Sequence, residues 1–196
     1  MESPPRHYVA LAFLPVVIAV VTLVALVVYQ RGAEERRDRW QQPEAVLDAI
    51  GLEPGMRAAV LHPEDTYFLR KLVARVGESG SVYAVRPASR VAEAIGDSSL
   101  PVAVVAELPP GLEVLLLVSH VSAADQETDA VEKDLRQAGE RLAAGARLGF
   151  IGVRGEAIER AITKEDVVTA AESQGFRLLR SEDFVDRQFL LVLETK

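Results

Sequence analysis

The chain contains no cysteine, which excludes disulfides and thiolate metal sites without deciding a compartment. Basic residues are outnumbered, with 22 Lys and Arg against 29 Asp and Glu and a net charge of −7. Outside one arginine cluster between Arg31 and Arg39 no basic stripe is legible. General nucleic-acid binding is thereby excluded, because counterion release needs a basic surface. No internal repeat and no low-complexity segment is present. No Ser-His-Asp order with a nucleophile elbow can be read, so a hydrolase is not expected and no catalytic residue is assigned.

Charge of either sign is missing altogether from Tyr8 to Gln30. The 21 residues from Val9 to Tyr29 would give roughly 32 Å of helix at about 1.5 Å per residue, close to the ~30 Å hydrocarbon core of a bilayer. Residues 1–8 therefore read as a tail, 9–30 as a single transmembrane helix, 31–42 as a charged juxtamembrane stem and 43–196 as a globular α/β domain. A cleaved signal peptide is the competing reading. The apolar run exceeds the usual length of a signal core, and no clear small-x-small site precedes the charged segment. Arg31, Arg36, Arg37 and Arg39 follow the span, and Arg6 and the amino terminus precede it, so the large domain is expected on the cytoplasmic side. Membrane lipid is thus an expected partner through residues 9–30, and the stem arginines either face anionic headgroups or line a solvated linker.

Beyond the stem, Pro43 opens a short helix with Val46, Leu47 and Ile50 on one face, stopped at Gly51. Arg57 to Leu61 reads as a strand, His62 to Thr66 as a polar loop, Tyr67 to Val76 as an amphipathic helix and Ser81 to Val85 as a second strand ending at Arg86. Such a unit opens a parallel sheet, and the loop after its first strand is where these folds hold nucleotide-like ligands. The alternation continues through a helix at Ala88 to Ile95, strands at Val102 to Ala106 and Val114 to Ser119, a long helix at Asp125 to Ala143 and a strand at Arg147 to Val153. Thr163 and Asp166 form a capping-box-like start for a helix to Ser173. Phe176 to Glu182 and Gln188 to Leu193 are joined too briefly for a crossover, so they must pair antiparallel. The expected fold is a Rossmann-like, doubly wound mixed sheet of about seven strands.

Several stretches resemble a known family: Trp40-Gln41-Gln42-Pro43-Glu44, Leu52-Glu53-Pro54-Gly55-Met56, Tyr67-Phe68, Leu142-Ala143-Ala144-Gly145-Ala146-Arg147-Leu148, Gly175-Phe176-Arg177-Leu178 and Gln188-Phe189-Leu190-Leu191-Val192. In this order they are similar to the class I S-adenosylmethionine-dependent methyltransferases, from about Trp40 to Leu193. The resemblance implies seven strands with the last inserted antiparallel, and S-adenosylmethionine as cofactor. It also implies an acid at Val60, glycines at His62, Glu64 and Thr66, and a ribose-binding acid at Arg86. None of these residue types is retained. Pro63 removes an N–H from the loop, Glu64 and Asp65 bring negative charge to the place of the methionine carboxylate, and Arg86 can only donate. The changes oppose the cofactor sterically, conformationally and electrostatically, and ordinary cofactor binding is expected to be lost.

Two further expectations attach to these residues. His62 and His120 would end neighbouring strands on the ligand side, with Glu64 and Asp65 nearby in sequence, so they form either a metal-binding or acid–base cluster or a pair of exposed loop histidines. Arg86 is expected to pair with Glu64 or Asp65 across adjacent strand ends, a 2′-phosphate contact being the weaker alternative. Three functions remain open: a binding or scaffolding module with lost catalysis and a protein partner, a working methyltransferase on a membrane-proximal small molecule or lipid, and a sensor of another small anionic ligand.

Overall fold

The computed structural model describes residues 7–118, 128–153, 162–185 and 188–196, without the side chains of 7–18, 26–28, 30, 31, 128, 153, 184 and 185. Two compact units divide the chain, Met1–Gln41 and Gln42–Lys196.

The first unit contains one 35-residue helix, α1 (His7–Gln41). In its carboxyl-terminal part Arg37 Nε donates to Gln41 Oε1 at 2.7 Å and Arg39 Nε to the Glu35 carbonyl at 3.3 Å. Val20, Val21, Leu23 and Val24 are exposed. Among the described residues no helix is long and apolar enough to cross a membrane, so the span expected at 9–30 gains no support there.

The second unit runs α2 (Pro43–Ala49), β1 (Arg57–Leu61), α3 (Tyr67–Val76), β2 (Ser81–Val85), α4 (Ser89–Gly96), β3 (Val102–Val105), β4 (Val114–Val118), α5 (Thr128–Arg141), β5 (Arg147–Val153), α6 (Lys164–Ser173), β6 (Phe176–Val185) and β7 (Gln188–Thr195). The sheet order is β3-β2-β1-β4-β5-β7-β6, and β7 is antiparallel to both of its neighbours. This is the expected mixed seven-stranded sheet. The last strand lies between β5 and β6, and it is antiparallel to β6 because its short connection can only reverse the chain.

The central strands are buried on both faces, and their sequences are correspondingly continuous apolar runs, Ala58 to Leu61 in β1 and Val114 to Leu117 in β4. One core layer packs Leu61, Leu115, Leu117 and Phe150 against Leu135 of α5 and Val167 of α6. The opposite layer packs Val60, Leu116 and Ile151 against Leu47 of α2 and Leu69 and Leu72 of α3. Gly152 lets Phe189 lie across β5, since a Cβ there would enter the ring, and Phe189 stacks on Phe150 with centroids 6.1 Å apart. Strand order reverses between β1 and β4, the switch point at whose carboxyl ends ligands bind in sheets of this kind.

Candidate functional site

His62 and Arg86 each follow the last residue of a strand, β1 and β2, and each continues the ladder by one bond. His62 N–H donates to Val85 O at 2.8 Å and Arg86 N–H to Val105 O at 2.9 Å. Both then turn through the left-handed region, with φ of 50° and 49°. A side chain in that region costs roughly 1–2 kcal/mol, which the surrounding structure must hold in place. The turn aims both side chains at one acid from a third element, Asp134 of α5.

Arg86 Nη2 donates to Asp134 Oδ1 at 2.9 Å, and His62 Nε2 lies 3.3 Å from each carboxylate oxygen. The Asp134 side chain is 14% exposed. Burial is the largest single influence on its acidity and pushes the pKa up. The hydrogen bonds and charges of His62 and Arg86 together outweigh it, so the carboxyl is held below its ordinary range. Two side-chain atoms are buried without a partner among the described residues: Arg86 Nε within this cluster, and Gln137 Oε1, three residues beyond Asp134 on α5.

Arg86 therefore does not bridge to Glu64 or Asp65, as expected from sequence. Asp65 is drawn the other way: its Oδ1 accepts from Tyr67 N–H at 2.9 Å, at the first turn of α3. Helix N-termini attract anions, and here the chain's own carboxylate takes that position. Glu64 is exposed, and its carbonyl accepts from Arg90 Nε at 3.3 Å. Ala88 N–H reaches Pro63 O at 3.4 Å, so the loop after β1 is strapped at two points to the segment after β2. Thr66 stands at the N-cap of α3 and makes no side-chain cap bond. Of the four positions assigned to the cofactor, His62 and Arg86 converge, whereas Glu64 and Thr66 do not join them.

His120, the second weak metal candidate, lies outside the described residues, as does Ser119. Among the described residues no group of three or more His, Asp or Glu could hold a metal ion. Asp134 is the residue that sequence reading missed. It does carry a signal: it falls three residues after Val131 and four before Ala138, within the buried stripe of α5, where an acid requires a partner. A cleft of about 250 Å³ lies at the opposite end of the sheet, lined by Gly51, Met56, Leu112, Glu113 and the turn from Ala143 to Arg147. It shares no residue with the cluster.

No protein-family model and no curated protein matches the chain. Solved structures do. A SAM-dependent methyltransferase from Aquifex aeolicus superposes with a TM-score of 0.63 at 20% identity, over 82% of this chain and 93% of its own. The pyocyanin biosynthetic protein PhzM gives 0.60 at 16% identity, over 77% of this chain and 53% of its own. TrmN from Thermus thermophilus gives 0.58 at 19% identity, over 79% of this chain and 48% of its own. The chain thus spans most of the Aquifex structure and about half the length of several others. Strand order, the inserted antiparallel β7 and these likenesses agree: the globular unit has the fold of the SAM-dependent methyltransferases.

Proposed function

We propose that this chain is a membrane-anchored protein of methyltransferase fold that has lost ordinary S-adenosylmethionine binding and works as a binding or scaffolding module on the cytoplasmic face. One observation carries the reading. At both places where a ligand at the switch point would find partners, the protein supplies its own carboxylates, Asp65 at the start of α3 and Asp134 of α5 against Arg86, the residue after β2. The residues fit the cofactor poorly on other grounds too. The loop after β1 offers side chains and a buried proline where bare backbone would have to approach a nucleoside, and Arg86 cannot accept from ribose hydroxyls.

The anchor rests on the charge-free sequence from Tyr8 to Gln30. Tyr8 and Tyr29 bracket the run, in the positions of interfacial aromatic belts. Orientation follows from the arginines after the span. Ultraviolet cross-linking of membranes carrying the full chain with methyl-labelled S-adenosylmethionine tests both parts. The expected result is a chain that stays in the pellet through alkaline carbonate extraction and takes no label. Release into the supernatant overturns the anchor, and labelling overturns the loss of binding.

A further inference from the structure

The guanidinium of Arg86 is only half used. Its Nε–H and one Nη2–H lie along a single edge, the edge that grips a carboxylate or phosphate through two parallel bonds. Asp134 reaches Nη2 at 2.9 Å, but Nε is buried and has no acceptor among the described residues. His62 is met at 3.3 Å, longer than the usual charged contact. A two-oxygen acid on α5 is shared between a guanidinium and an imidazole and satisfies neither fully. An unpaired buried N–H is costly, and it persists here beside two residues held at positive φ. An anion with three terminal oxygens could meet Nε, Nη2 and His62 Nε2 together.

From this we infer that Arg86 and His62 form an oxyanion site for a phosphate monoester, which Asp134 occupies as an internal counter-ion until the ligand displaces it. The inference rests on the reading that the site has given up S-adenosylmethionine. Exchange of one anion for another keeps both Arg86 and His62 partnered, so the ligand faces only the competition of Asp134. That competition lowers its apparent affinity by the fraction of time the site is filled from within. Displacement also frees α5 from its contact with the strand ends, which gives binding a structural consequence that a partner could read.

Calorimetry on the full chain in a mild nonionic detergent, with inorganic phosphate, adenosine 5′-monophosphate and adenosine as probes, tests the site. Both phosphates should bind and adenosine should not; preference for the nucleotide assigns the ester, and equal binding assigns the phosphate group alone. Asp134→Asn should tighten phosphate binding about tenfold by removing the competitor. Asp129→Asn, which removes the same charge from an exposed position of α5, should change it by less than about twofold. Arg86→Gln should abolish it. Failure of the wild-type chain and of Asp134→Asn to bind either phosphate overturns the site, as does equal tightening in the two aspartate variants. Hydrogen exchange on the wild-type chain needs no variant to fold: phosphate should speed exchange in residues 128–141, and unchanged or slower exchange contradicts displacement. Micromolar S-adenosylmethionine binding in the same cell sinks the parent reading whatever phosphate does, whereas absence of heat with every probe sinks only the oxyanion site.

Discussion

Arg86 and Asp134 stand 48 residues apart in sequence and meet at 2.9 Å over the carboxyl ends of β1 and β2. The contact joins the sheet to α5, so removing either partner leaves the other half-buried and charged. Arg86→Gln should lower stability by about 1–3 kcal/mol. The double variant with Asp134→Asn should recover part of that loss, with a coupling energy of about 0.5–3 kcal/mol in a denaturant cycle. Strictly additive losses would show that the pair does not act as a unit.

The acidity of Asp134 gives the contact a pH signature. Its native pKa is depressed, through His62 and Arg86, below the unfolded value of about 3.9. A depressed carboxylate contributes stability that is present above the unfolded pKa and is lost as pH falls through the native one. The melting temperature of the wild-type chain should therefore fall more steeply than that of Asp134→Asn below about pH 4. Parallel curves through the acid range would remove the ion pair from the account.

Backbone strain at His62 is separable from its side-chain contact. Alanine and glycine both delete the imidazole, but only glycine accepts φ of 50° freely. His62→Gly should be more stable than His62→Ala by about 1 kcal/mol in chemical denaturation. Equal stabilities would mean that the loop relaxes to negative φ at no cost.

Close packing at the turn before β6 offers a test of the fold itself. A Cβ at Gly139 of α5 would lie 2.7 Å from the Gln174 carbonyl, a backbone atom that cannot swing away. Gly139→Ala should cost about 1–3 kcal/mol, while Gly96→Ala, where a Cβ meets nothing within 4 Å, should be neutral or slightly stabilising by thermal melts.

Much of this architecture was legible in the residues. Helices α3 and α6 begin and end where spacing and capping place them, the Thr163 and Asp166 box is formed in full, and the brevity of the link to β7 dictates its direction. Local signals of that kind act within a few residues and survive the loss of tertiary information. The site was legible only in part. His62 and Arg86 stood out because they replace residues that the fold's usual ligand needs, and both do lie together. The partner of Arg86 was expected to be Glu64 or Asp65, across adjacent strand ends. Asp65 is taken instead by the N–H of Tyr67, two residues on, because a local turn forms at little entropic cost. That leaves His62 and Arg86 to an acid brought in by the packing of α5, whose place in the buried stripe of that helix says that it needs a partner but not which one. The span at 9–30 and the position of His120 rest on sequence alone.

The central claim is that the strand ends over β1 and β2 no longer accept S-adenosylmethionine. Isothermal titration of the full chain with that nucleoside measures it directly. The account predicts no saturable heat up to millimolar ligand; a saturable isotherm with micromolar affinity, abolished by substitutions at His62 and Arg86, would contradict it.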